Sequence, residues 1–215
     1  MQNPVGKTIR VIGAAAAMGL ALLAAGCSKT DSMGTVTPDE MYMGPADAKV
    51  TVIEYASVAC PICGHVNETV MPEFKAKYID TGKVRYVYRP MTTGNPAVAA
   101  AGHLLAECAG KDKYFNVIDA VMRSQEAMGG EETGYNNARP VLFSIGQSLG
   151  MSEADFNTCI TNEEGLKRLN ELDKKYQTKD GITGTPTFVI NGKKLDRIPL
   201  NIGDFDTALK PYLSK

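Results

Sequence analysis

The chain has 215 residues, 44% of them hydrophobic, with 23 Lys and Arg against 24 Asp and Glu. That length and apolar content suffice for one compact domain, or a domain with an insertion, and exclude a disordered chain. Lys7 and Arg10 precede Cys27 in a stretch free of Asp and Glu, so the remainder carries 21 basic against 24 acidic residues. A net charge of −3 gives a nucleic-acid partner no support.

Residues 1–26 read as a signal peptide. Lys7 and Arg10 form a short positive region, Val11 to Ala25 is apolar and small, and Ala24-Ala25-Gly26 offers a cleavage site. The apolar run falls short of the roughly 20 residues of a membrane-spanning helix, so export is expected over a retained anchor. Cys27 directly after Gly26 resembles the lipobox of bacterial lipoproteins, in which the cysteine is acylated. Ala24 stands where that motif usually has Leu, so ordinary cleavage stays open beside a membrane tether through Cys27. Acylation would use one of five cysteines and leave an even four, which suits an oxidising compartment. Residues 27–40, rich in Ser, Thr, Asp and Gly, read as a tether without chemistry of their own.

Val50 to Tyr55 is β-branched and apolar, the composition of a buried strand, and Val84 to Tyr88 is a second. Between them Ile62, Val66, Val70, Phe74 and Tyr78 recur every four residues, which predicts one amphipathic helix stopping at Gly82. Strand, helix, strand implies a parallel pair with a crossover. Asn95-Pro96 then opens a helix to Ala109. Further helical patterns follow at 114–122, 141–149, 152–160 and 166–176, with a Gly- and Glu-rich loop at 126–136. Ser152 and Asp155 are placed as a capping-box variant. Thr187 to Ile190 is a strand, Asn191-Gly192 is a hairpin signal that turns Lys193 to Asp196 back antiparallel, and Asp204 is expected to cap a last helix through Phe205, Leu209 and Leu213.

The chemistry concentrates in Cys60-Pro61-Ile62-Cys63, where the first strand gives way to the helix. At a helix N-terminus free N–H groups and the dipole favour an anion, so Cys60 should ionise more readily than a free cysteine. Pro61 suits a first helical turn. Cys63, one turn further in, can attack a mixed disulfide formed at Cys60, which gives reversible dithiol exchange. Zinc is the competing use of this spacing, but it needs two more ligands, and the chain has only His65, His103 and distant cysteines. No metal and no cofactor is therefore expected. Glu54 places a carboxyl in an apolar strand six residues before Cys60. A buried carboxyl there would titrate high and could pass protons at Cys63; the plainer alternative is an edge residue facing solvent. Thr185-Pro186 could be no more than a strand entry.

The motifs Ala59-Cys60-Pro61-Ile62-Cys63, Glu54 and Gly184-Thr185-Pro186-Thr187-Phe188 followed by Asn191-Gly192 together resemble the DsbA branch of the thioredoxin superfamily over roughly residues 40 to 215. The resemblance implies an α/β thioredoxin fold with a helical domain inserted between its βαβ and ββα halves. Residues 41–94 and 179–215 would form the thioredoxin-fold domain and 95–178 the insertion. It implies that Pro186 is cis, that Thr185 lies against the active-site sulfurs, and that the loop pairs with a substrate chain. It implies that Cys108 and Cys159 form a second, structural disulfide, as in some DsbA-like proteins, with two buried free thiols as the alternative.

A periplasmic thiol:disulfide oxidoreductase is thus expected. Its partners would be folding exported proteins, to which it donates the Cys60–Cys63 disulfide, and a DsbB-type membrane protein that reoxidises it. The alternatives are a disulfide reductase or isomerase, and a non-catalytic metal-binding or chaperone module. One departure bears on direction. Strongly oxidising members often have His as the second spacer residue, whereas Ile62 offers the sulfur no donor, so a less oxidising pair is expected.

Overall fold

The computed structural model describes residues 33–130 and 132–214; the proposed signal peptide and Cys27 lie outside them. Five strands form one sheet in the order β1-β3-β2-β4-β5. β2 (Val50–Ala56) and β3 (Val84–Pro90) run parallel, with Val50 opposite Val84. β1 (Met41–Met43), β4 (Thr187–Ile190) and β5 (Lys193–Lys194) pair antiparallel with their neighbours. β1 was not foreseen, because three residues carry too short an alternation to register. The hairpin between β4 and β5 turns at Asn191 and Gly192, with φ of 46° and 82°. β5 ends at Lys194, before the expected Asp196.

Alternation along β2 sends its side chains to two cores. Val50, Val52 and Ala56 enter the larger core, with Phe74, Phe188 and Phe205. Ile53 and Tyr55 enter a smaller one with Val87, Val189 and Tyr176. β2 is the central strand, so Glu54 does not lie at an edge.

The crossover is not one helix. α1 spans Pro61–Thr69, α2 spans Met71–Phe74, and a π-helical turn covers Lys75–Ile79. Pro72 lacks the N–H that would bond back to Glu68, and the ladder reforms around it. The four-residue stripe is still buried at Val66, Val70, Phe74 and Tyr78, so the apolar face survives the break. α3 (Pro96–Cys108), α4 (Tyr114–Arg123), α5 (Ala138–Ser148), α6 (Glu153–Ile160) and α7 (Glu163–Thr178) follow β3 and precede β4. Asn95 caps α3 through the N–H groups of Ala97 and Val98, and Ser152 with Asp155 closes a capping box on α6. The last helix, α8 (Ile202–Leu213), corrects one assignment. Asn201 is its cap and Asp204, the expected cap, is the third helical residue completing that capping box.

Residues 33–40, expected to be the end of a plain tether, are docked on the sheet. Met33 and Val36 pack against the smaller core. Arg89 at the end of β3 donates to the carbonyls of Met33 and Thr35 and pairs with Glu40 at 2.5 Å. The buried guanidinium needs acceptors, and the incoming segment provides them.

Candidate active site: a thiol pair at the start of a helix

Cys60 caps α1. Its backbone is extended (φ −93°, ψ 119°) and its sulfur accepts the N–H of Cys63 at 3.4 Å. Pro61 occupies the first turn, where no N–H is needed. The sulfur lies 3.4 Å from the Thr185 carbonyl oxygen, and the Thr185-Pro186 peptide is cis. Cys60 is 7% exposed and Cys63 wholly buried, and both are free thiols in this structure. Only one sulfur of the pair therefore meets solvent. Ile62 is 47% exposed, and its side chain offers Cys60 no donor.

The two thiols are driven apart in acidity. Cys60 falls from 9.0 to about 6, chiefly because the Cys63 thiol donates to its sulfur; Thr185 and the N–H groups of Cys63 and Ile62 add to this, against burial. Cys63 is pushed strongly upward, first by burial, then by its bond to Cys60 and by the negative charges of Cys60 and Glu54. Near neutral pH the reduced pair thus carries one anion, on Cys60. Stability follows with a sign. A thiolate whose acidity is raised by folding stabilises the reduced protein above the unfolded value of 9.0, and this contribution is lost as pH falls through about 6.

Glu54 is 3% exposed on the same face of β2 as Val52 and Ala56. Burial raises its carboxyl from 4.5 to about 7, the Tyr86 hydroxyl that donates to it opposes this, and the Cys60 charge adds to it. A cavity of about 290 Å³ reaches the carboxyl between Asn67, Tyr86, Tyr88 and Asp119. Here the sign is reversed. The stabilising contribution of Glu54 is full below 4.5 and is lost as pH rises through about 7. Glu54→Gln, which cannot ionise, should therefore gain stability over the parent between pH 5 and 8, measured by urea unfolding at each pH.

Residues far away in sequence hold the loop before α1. Ser57 Oγ donates to the Thr93 carbonyl at 2.7 Å and accepts the Ala59 N–H at 3.2 Å. Thr93 and Thr185 share a hydroxyl contact of 2.5 Å, and the Thr92 hydroxyl donates to Asp173 on α7. At Gly94 φ is +78°, and a Cβ there would collide with the Ala59 carbonyl, so the loop after β3 lies directly on the redox loop. None of Thr93, Gln125 or Tyr135 carries a sequence signal, since the side chain of each acts through a partner at least 65 residues away, and the local bond from Ser57 to Ala59 does not reveal its distant one to Thr93.

Cys108 at the end of α3 and Cys159 near the end of α6 are bonded to each other, with Cα atoms 6.2 Å apart at a sequence separation of 51. Replacing both with serine is expected to lower the unfolding free energy by about 2–4 kcal/mol. Equal urea midpoints for variant and parent would contradict it. Among the described residues, no group of three or more His, Cys, Asp or Glu is placed to hold a metal ion. His65 lies exposed on α1, and the buried His103 donates through Nε2 to the Met91 carbonyl at 3.1 Å.

Comparison with known proteins agrees with this geometry. The thioredoxin family model matches residues 36–210. A candidate protein-disulfide oxidoreductase of Rickettsia conorii is 32% identical over 158 residues, 73% of this chain and 55% of that protein. A homologous protein of Rickettsia bellii is 29% identical over 77% of this chain and 62% of its own length. The chain thus spans somewhat over half the length of these relatives. Among solved structures, Wolbachia pipientis alpha-DsbA1 superposes with a TM-score of 0.73 at 26% identity, covering 83% of this chain and 93% of that one. A protein-disulfide isomerase of Novosphingobium aromaticivorans shares the fold, with a TM-score of 0.71 at 19% identity. The family model, which spans most of the chain, and the superposition on alpha-DsbA1 show that the chain, with its thiol pair at the start of α1 and its cis-proline loop beside it, belongs to the thioredoxin family as a DsbA-like member.

Proposed function

We propose that the chain is a thiol:disulfide oxidoreductase that donates a Cys60–Cys63 disulfide to exported proteins in the periplasm. The carrying observation is the asymmetry of the pair: Cys60 caps α1 as the less buried, acidic thiol, and Cys63 is wholly buried. In the oxidised protein a substrate thiolate attacks Cys60 Sγ. The Cys60–Cys63 bond breaks, its electron pair goes to Cys63, and a mixed disulfide forms at Cys60. A second substrate thiolate then attacks the substrate sulfur of that mixed disulfide, and Cys60 leaves as the thiolate that the helix start stabilises. Two electrons pass from substrate to protein, and a DsbB-type membrane partner would remove them. Thr185 and Pro186, beside the sulfur, would hold the substrate backbone as a short strand. Cys27, if acylated, would keep the enzyme at a membrane surface. Refolding of reduced ribonuclease by the oxidised protein tests the reading: recovery of activity with matching loss of the Cys60–Cys63 disulfide is expected, and no recovery would overturn it.

Glu54 fits as the proton source for the leaving Cys63. While protonated it has a proton to give; once ionised, its charge opposes the build-up of anion on Cys63. In the oxidised protein burial still raises Glu54 but the Cys60 charge is gone, so the rate at which a small dithiol reduces it, corrected for dithiol ionisation, should fall through an inflection that lies between the ordinary carboxyl value and about pH 7. Glu54→Gln should abolish the inflection, and a curve of the same shape in the variant would exclude this role.

The exposed, donor-free Ile62 favours a second reading, in which the pair is a milder oxidant or an isomerase. A Cys60 titrating at about 6 lies between thioredoxin at about 7 and the strongest oxidant of the fold at about 3.5. Its reduction potential is accordingly expected between about −270 and −120 mV. A value at the oxidising limit, measured against glutathione, would rule out the second reading.

A further inference from the structure

Three successive carbonyls lead into the redox helix, and side chains from the segment after α4 hold all three. The Gln125 amide Nε2 donates to the Val58 carbonyl at 2.8 Å and to the Cys60 carbonyl at 3.1 Å. The Tyr135 hydroxyl donates to the Ala59 carbonyl at 2.8 Å. A primary amide nitrogen carries two hydrogens, so Gln125 can serve two carbonyls two residues apart, which a carboxylate cannot. Its amide lies on the first turn of α1: a Cβ added at Gly64 would stand 3.0–3.1 Å from the Gln125 amide atoms.

We propose that Gln125 and Tyr135 are positioning residues for thiol exchange, fixing the Val58–Cys60 backbone so that the Cys60 sulfur is held against the N–H of Cys63. The inference rests on the oxidoreductase reading above and adds to it the groups that set the reactivity of its nucleophile. The physical reason is local. Cys60 can accept from Cys63 only while its backbone stays extended as the α1 cap. The Cys60 carbonyl also accepts the Gly64 N–H at 3.0 Å as the first bond of α1, so the brace matters most at Val58 and Ala59. With those two carbonyls stripped of their donors the loop would turn to find others, and would carry the sulfur away from the helix start. Among the described residues, the ionisable groups that act on Cys60 or its loop include Cys63 on α1, Glu54 on β2, Tyr88 on β3 and Tyr135 itself. None of these brings a positive charge, so the thiolate depends on oriented hydrogen bonds, and their orientation depends on the loop.

The test measures the pH dependence of Cys60 alkylation in the reduced full chain, with the labelled sulfur identified by mass spectrometry. Gln125→Ala is expected to raise the titration midpoint by up to about one pH unit, the size of one net hydrogen bond. Tyr135→Phe should raise it by less. Gln125→Glu should raise it at least as far as Gln125→Ala, because a carboxylate adds charge and no donor. Gly64→Ala is the companion variant: alanine favours the helix, while its Cβ, 3.0–3.1 Å from the Gln125 amide atoms, pushes that amide by a few tenths of an ångström. Its midpoint should therefore rise by less than in Gln125→Ala with no loss of melting temperature, and it carries the test should Gln125→Ala fail to fold. Midpoints equal to the parent's in Gly64→Ala and Gln125→Ala, whatever their melting temperatures, would reduce the brace to a structural contact and overturn the proposal. Alkylation needs no protein substrate, so a chain inactive in ribonuclease refolding would count against the oxidoreductase reading and leave this measurement interpretable.

Discussion

Serine at position 60 is expected to reduce disulfide transfer to the rate of buffer thiols alone, because a serine oxygen can neither ionise near neutral pH nor enter a disulfide. Serine at position 63 should act differently. With Cys60 intact and still capping α1, its thiolate should attack a substrate that carries a disulfide and displace one substrate sulfur as thiolate, so the variant should accumulate a mixed disulfide that runs as a larger species on a non-reducing gel and disappears with reductant. The two outcomes separate the roles that burial assigns: 7% exposure for the attacked sulfur and none for its partner. If Cys60→Ser still accumulated mixed disulfides through Cys63, the assignment would be reversed.

Arg89 is the second position where a large effect is expected. It is 5% exposed, bonded to Glu40 at 2.5 Å, to the Tyr55 hydroxyl and to two carbonyls of the incoming segment, with Asp180 at 3.6 Å. Arg89→Ala leaves two carboxylates largely buried without their cation, which costs about 3–5 kcal/mol. Urea unfolding measures this, and Arg89→Met combined with Glu40→Leu should recover part of the loss, because it removes charge from both sides. A loss below about 1 kcal/mol in the single variant would show that the network is solvent-screened like a surface pair. The same experiment bears on residues 33–40: their susceptibility to protease should rise in Arg89→Ala while the sheet stays intact.

The parts of the site legible in the sequence are those whose signal is local. Cys60, Pro61 and Cys63 announce a helix start within four residues, and Glu54 stands out because a charge interrupts a β-branched run. Thr185-Pro186 gains meaning only from its place in the order of elements. The holding groups were not legible, because hydrogen bonds to backbone carbonyls leave no mark on the sequence of the strand or loop that accepts them. Gln125 and Tyr135 flank a segment that reads as a Gly- and Glu-rich loop, yet they meet Val58, Ala59 and Cys60 across some 60 to 80 residues. Tyr86 reads as one more aromatic in a strand until its hydroxyl is seen on Glu54. Two signals were present and outweighed. Pro72 sits inside the stripe whose period suggests a continuous helix, and Asn201, three residues before Asp204, completes the capping box assigned to the aspartate alone. For residues 33–40, polar composition suggested a tether, while the docking depends on an arginine about 50 residues away.

The most direct test of this picture is a pH titration of single-thiol labelling in the reduced parent protein, with the labelled sulfur identified. A reactive anion seated at the start of α1 requires label on Cys60 alone, with a midpoint near 6. Labelling that began at Cys63, or a midpoint near the value of about 8.5 for an unassisted thiol, would contradict it.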